Sequence, residues 1–172
     1  MDVTLRDLAD FYRLALENST PSRQLVHVAA IVAWVDSLIL EAEVPDEWML
    51  DLSMLKTPDA VVIALSHVPP PKTDFLGASM FVAYVSRLWG LGELSRDDAC
   101  HLLWNVRFDL RPEHDIASIV PEVTLEDAEA CCEQGIRDPN PFTRVDEALI
   151  EFFGRYEQFD SLIPDISAAP RR

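Results

Sequence analysis

The sequence predicts an all-α protein, and three observations carry that reading. Six helix-start signals recur along the 172 residues. The apolar residues behind them repeat at three and four positions rather than at two, the helical spacing. Glycine is scarce, five residues against twelve prolines, which speaks against an architecture of strands and tight turns. The chain has the length of one ordinary domain. At 49% hydrophobic and 26% charged it carries enough apolar mass for a core and is not a disordered chain.

Thr4 opens the first helix, expected over 5–17, because its hydroxyl caps an orphan N–H while Asp7, three residues on, reaches back. Leu5, Leu8, Tyr12, Ala15 and Leu16 face one way in it, with Arg6, Asp7, Asp10 and Arg13 elsewhere. Thr20-Pro21 opens the second, expected over 21–43, with proline at the first helical position. Thirteen of the sixteen residues from Leu25 to Leu40 are apolar, so this helix is expected to run through the centre with the others packed about it. The run falls short of the roughly 20 residues of a membrane span and carries Asp36, so a buried core helix is the better reading.

Helices are next expected over 46–55 and 58–67. Ala60 to Val68 is β-branched enough for a strand, but the Thr57-Pro58 start favours a helix. Pro69-Pro70-Pro71 makes a stiff connector. Beyond it, a helix over 74–89 should stop at Gly90 and Gly92, and one over 96–108 opens at Ser95 with Asp98. Thr124 with Asp127 opens a helix over 125–134 that Gly135 closes, and Thr143 with Asp146 opens the last, over 144–159. In that last helix Val145, Ala148, Leu149, Phe152, Phe153, Tyr156 and Phe159 mark a single face. Seven or eight helices thus form a single domain over 1–159 around the central helix 21–43, and 160–172 is read as a flexible tail.

Charge narrows the function. Fourteen bases against thirty acids give −16, which excludes nucleic acid as a partner because phosphate contacts need a basic face. No apolar leader follows the first residues, and three cysteines, Cys100 and the pair Cys131-Cys132, form no disulfide framework. Both point to a cytoplasmic protein with reduced thiols, and no membrane partner is expected. The acids are crowded. Asp36 to Asp59 holds seven against Lys56 alone, and Asp109 to Asp138 holds nine against Arg111 and Arg137. Thirteen of the sixteen net negative charges therefore fall in two blocks. Such blocks serve as solvated surface or as docking surfaces for a basic partner. The residues expected to contact that partner are Glu43, Asp46, Glu47 and Asp51, with Trp48 as an anchor among them, and then Glu122, Glu126, Glu129 and Glu133. Each acid would accept a charge-assisted hydrogen bond from Lys or Arg. For Trp48 the competing reading is a buried stripe shared with Leu52 and Leu55.

No reactive constellation stands out. The chain lacks GxSxG, a Walker loop, GxGxxG and HExxH. His114-Asp115 would suit a metal-dependent phosphohydrolase of the HD type if His67, His101 and Asp138 joined it, but a dipeptide is a weak signal. Asp97, Asp98 and His101 give one Asp-x-x-His where a di-iron bundle needs paired Glu-x-x-His motifs. Glu129 and Glu133 beside Cys131-Cys132 would raise the thiol pKa and blunt reactivity. Asp36 is either half-buried against a base such as Arg107 or at the edge of the apolar stripe. No catalytic residue, cofactor or metal is therefore assigned.

A short, acidic, helical chain of this kind resembles bacterial immunity proteins in type, with no motif shared. That resemblance implies an antitoxin-like inhibitor whose carboxylates occupy the basic cleft of an effector. An adaptor subunit of a larger assembly and the HD-type hydrolase are the alternatives.

Overall fold

A computed structural model describes residues 3–69, 76–109, 141–164 and 166. Among them every regular element is helical: α1 (Leu5–Glu17), α2 (Pro21–Glu41), α3 (Glu47–Ser53), α4 (Pro58–Ser66), α5 (Leu76–Gly90), α6 (Arg96–Asp109), α7 (Pro141–Gly154) and a 3₁₀ helix (Glu157–Leu162). The protein is all-α. The expected helix over 125–134, with its Thr124–Asp127 start and Gly135 stop, lies outside the described residues. The fold divides into two compact units, residues 1–81 with 162–172, and residues 82–161.

Local chemistry sets the helix starts. Thr4 and Asp7 form a full capping box, the Thr4 side chain accepting from the Asp7 N–H and the Asp7 carboxylate accepting from the Thr4 N–H at 2.9 Å. Ser95 and Asp98 do the same for α6, with the Ser95 hydroxyl donating to the Asp98 carboxylate at 2.7 Å. Thr20 and Thr57 stand at the starts of α2 and α4 without side-chain caps, each followed by proline at the first position. The β-branched stretch after Thr57 is helical, because the proline start and the cover of neighbouring helices outweigh a weak strand propensity. Gly92, at φ 71°, closes α5: its N–H reaches the Trp89 carbonyl and the Glu93 N–H reaches that of Leu88. Gly90 remains helical.

In the first unit α1 is the enclosed element. Ala9, Phe11, Tyr12, Leu14, Ala15 and Leu16 are all buried, and α2, α4 and the first turn of α5 lie against it. Burying side chains of this size contributes about 1.5–3 kcal/mol apiece. Polar groups of α1 are held as well, though the Arg6 Nε is buried without an acceptor among the described residues. Asp7 is buried in its capping box, so the expectation that it faces away from the core is corrected. Arg6 donates from Nη1 to the carbonyls of Leu65, Ser66 and Val68 at 3.0–3.4 Å, and its Nη2 pairs with Asp10 at 2.8 Å. One guanidinium thus satisfies the open carbonyls at the end of α4 and stitches that end to α1. Burial pushes the Asp10 carboxyl above its usual range against the pull of Arg6. At the α1–α2 corner His27 is buried, its Nδ1 3.2 Å from the Ala15 carbonyl and 3.1 Å from the Ser19 hydroxyl. Burial holds its pKa below the usual range.

Helix α2 differs from its expected central place. It ends at Glu41 and buries one stripe, His27, Val28, Ala30, Ile31 and Val35, while Leu25, Val26 and Leu40 stay exposed. Its hydrophobicity overstates its burial because its outer face is also apolar.

In the second unit Leu149, Phe152, Phe153 and Tyr156 are buried along α7, as the periodicity predicts. The Trp89 ring of α5 packs on Phe153 with ring centres 5.6 Å apart. Burial pushes the Tyr156 phenol up to about 12. The start of α7 corrects the expected Thr143–Asp146 box. The helix begins at Pro141, and Asp146 instead receives two hydrogen bonds from Arg96 of α6 at 2.6 and 2.7 Å, which hold its carboxyl below the usual range. The last helix stops at Gly154 rather than 159, and the 3₁₀ turn that follows is pinned where Arg87 donates to the Asp160 carboxylate and carbonyl, both at 2.8 Å. The expected tail is therefore structured at least through residue 162, and Ile166 is buried.

The tightest crossing in the first unit is at Gly77. A Cβ there would stand 2.5 Å from the Asp7 carbonyl oxygen and 2.9 Å from the Asp10 Cβ. In an open helix Gly→Ala stabilises by about 1 kcal/mol. Here Gly77→Ala is expected to destabilise by about 1–3 kcal/mol, because α1 and α5 must part. Urea unfolding of the variant beside wild type measures the sign.

Candidate functional site

The candidate site is the first acidic block, which the fold distributes over the end of α2, the 42–46 turn, α3 and the start of α4. Asp36, Glu41, Glu43, Asp46, Glu47, Asp51 and Asp59 are all exposed, and Lys56 is exposed with them. Asp36 is therefore a surface residue and not the half-buried partner of a base. None of the seven pairs with a base among the described residues, whereas Arg6, Arg13, Arg87, Arg96 and Arg155 each bind an acid elsewhere.

Two of these acids sit where the backbone disfavours them. Glu41 is the last residue of α2 and Asp51 lies in the final turn of α3, and neither helix has a base in its last turn. The negative end of a helix dipole repels a carboxylate at such positions. Glu47 lies in the first turn of α3, where the dipole favours it, and Asp46 stands at the cap position without a side-chain hydrogen bond.

Between the acids the surface is apolar. Leu40 is 87% exposed, Val44 82% and Met54 75%, and Leu50 is exposed too. On α3 this is a single face. Glu47, Leu50, Asp51 and Met54 recur at three and four residues and point to solvent, opposite the buried Met49 and Leu52. On α4, which neighbours α3, Ile63 is exposed at 61%. These exposed apolar side chains are the site residues that acid counting misses. The available signal was that α3 carries apolar residues on both faces, more than a short helix can bury.

Trp48 belongs half to each of its two expected roles. It is partly exposed, and its ring lies 6.5 Å from that of Trp34, which in turn lies 5.1 Å from Tyr12. Its indole N–H is buried without an acceptor among the described residues. The buried pair of α3 is Met49 and Leu52, with Leu55 half-buried. The aromatic ladder from α1 through α2 to α3 makes a firm backing for the acidic face.

The remaining candidates are placed as follows. Glu122, Glu126, Glu129 and Glu133, the pair His114-Asp115, Asp138 and Cys131-Cys132 lie outside the described residues. His67 and His101 are exposed, and Asp98 closes the capping box with Ser95, the cap of α6. No group of three or more His, Cys, Asp and Glu among the described residues is placed to hold a metal ion. Helix α2 is long and apolar enough to cross a membrane by length and composition. No family model matches the chain, nor does any curated protein or solved structure.

Carboxylates at the wrong ends of helices weaken the fold, so their removal should strengthen it. Glu41→Gln with Asp51→Asn is expected to raise the Tm by about 1–3 °C in dilute buffer. The gain should vanish in molar salt, which screens both dipole and repulsion. Differential scanning calorimetry at two ionic strengths reads both effects.

Proposed function

We propose that this is a non-catalytic binding protein, an immunity- or antitoxin-like inhibitor that covers the basic cleft of an effector with the face made by the first acidic block. The observation that supports it is the composition of that face: seven exposed acids with no partnering base among the described residues, set among exposed Leu40, Val44, Leu50 and Met54. An ordinary solvated surface mixes both signs of charge and keeps large apolar side chains scattered. Apolar anchors ringed by charge are the make-up of a protein interface.

Each part has its role. Glu43, Asp46, Glu47 and Asp51 accept hydrogen bonds from Lys and Arg of the effector in place of its anionic substrate. Their summed field speeds encounter and repels acidic competitors. Leu50 and Met54 provide the area that water leaves on binding, which governs how long the complex lasts. A cytoplasmic location follows from this role. An adaptor subunit is the second reading, favoured by the same exposed apolar residues, and it differs in how little it asks of the charge.

Two measurements on the complex recovered from the source cell separate these readings. Glu43→Gln, Asp46→Asn, Glu47→Gln and Asp51→Asn together are expected to cut the association rate by about 10–1,000-fold, with dissociation much less changed. Rising salt should slow wild-type association in the same way. Leu50→Ala with Met54→Ala should instead speed dissociation. Binding that is indifferent to both salt and the four amides would leave the adaptor reading in place of the inhibitor.

A further inference from the structure

We propose that the outward face of α3 takes a cationic amphipathic helix of the partner, an inference that rests on the inhibitor reading and gives the bound element its shape and chemistry. The face is one narrow wedge. Glu47, Leu50, Asp51 and Met54 are exposed at helical spacing, with Met49 and Leu52 buried behind them. At about 100° per residue, Leu50 and Met54 fall along one edge of the wedge and Glu47 and Asp51 along the other. The same couple recurs at the start of α4, which neighbours α3, where Asp59 and Ile63 are exposed one turn apart. Each of these apolar side chains stands beside a carboxylate.

Charge complementarity selects the occupant. Anionic lipid and nucleic acid would bring phosphates against carboxylates, and a second copy of the face would set acid against acid. A purely apolar segment would strip water from Glu47 and Asp51 and give nothing in return. Lysine and arginine suit both edges of the wedge. Their methylene stems lie on apolar surface while the charged head binds a carboxylate. Neighbours three and four apart on a helix stand about 5–6 Å from each other, within the reach of one such stem.

The helical surface selects the partner's backbone. Every regular element among the described residues is a helix, so the face offers no strand edge. An extended segment laid on it would bury N–H and C=O groups without partners, at a cost of about 1–3 kcal/mol each. A helix brings its own backbone bonds and docks by residues at i, i+3, i+4 and i+7. At about 1.5 Å per residue α3, seven residues long, extends roughly 10 Å, which two turns of a partner helix match. The apolar row of that helix covers Leu50 and Met54, and its flanking Lys and Arg meet Glu47 and Asp51. A contact of this size is smaller than the about 800 Å² per partner of a standard interface, so the element binds weakly by itself.

The probe is a synthetic peptide of leucine, alanine and lysine about sixteen residues long, with leucines at i, i+3, i+4 and i+7 and lysines flanking them. A scrambled peptide of the same composition keeps the charge and loses the period. Titrated against the full chain by fluorescence anisotropy, the patterned peptide is expected to bind about tenfold tighter than the scrambled one and to gain helical circular dichroism. Leu50→Ser with Met54→Ser should weaken it about tenfold while the thermal transition stays as in wild type. Glu47→Gln with Asp51→Asn should weaken it by about the same factor, a difference that molar salt removes. Leu91→Ser, at an exposed apolar residue of the second unit, should change nothing. Equal binding of the two peptides overturns the proposal, as does indifference to the Leu50 and Met54 pair or binding without gain of helix. Loss of the complex from the source cell on the four amide substitutions, with no binding of the patterned peptide, overturns it and leaves the inhibitor reading intact. A complex indifferent to those amides overturns both.

Discussion

The burial of α1 is the constraint from which the first unit follows. Its interior side chains pack toward α2, α4 and the start of α5, and Gly77 allows α5 to come within contact of the α1 backbone. The Arg6 guanidinium, fixed by Asp10, bonds the carbonyls at the end of α4. With α1 inside, α2, α3 and α4 lie outside it, each with buried residues on one face and exposed ones on the other. The exposed acids and apolar side chains of the first block are all on these helices and the turns between them. The site is thus a consequence of which helix the core encloses.

Among the described residues two groups of carboxylates contrast. Asp10, Glu17, Asp146, Glu151 and Asp160 are each bound by an arginine, and Asp7 and Asp98 close capping boxes. These maintain the scaffold. Among the described residues the seven acids from Asp36 to Asp59 neither pair with an arginine nor close a capping box; Glu47 and Asp59 suit the first turns of α3 and α4, whereas Glu41 and Asp51 stand at helix ends that disfavour a carboxylate. Carboxylates that stand at unfavourable helix ends without an ion pair among the described residues are suited to a contact outside the fold. The separation is physical rather than compositional, since both populations consist of the same residue types.

What the sequence reveals here is what is decided locally. Thr4 with Asp7, Ser95 with Asp98, and proline behind Thr20 and Thr57 each mark a helix start that the structure has, since a cap needs only neighbours three residues away. The assignment of helices to the interior is a different matter. Helix α2 reads as central because both its faces are apolar, while the charged rim of Arg6, Asp10, Arg13 and Glu17 hides the enclosure of α1. Asp146 shows the same limit in miniature. Its spacing from Thr143 imitates a cap, but Arg96, fifty residues away in sequence, takes its carboxylate. For the site, the acids were legible as a block, and the exposed Leu50 and Met54 were not. Whether an apolar residue is covered depends on neighbours that no local pattern names.

The most direct measurement is amide hydrogen exchange on the free chain and on the complex recovered from the source cell. If the first acidic block is the binding face, protection on complex formation will concentrate between residues 40 and 63, with the interior of α1 unchanged because it is already shielded. Protection confined to other segments, with the backbone from α3 to α4 exchanging as freely as in the unbound protein, would contradict the account.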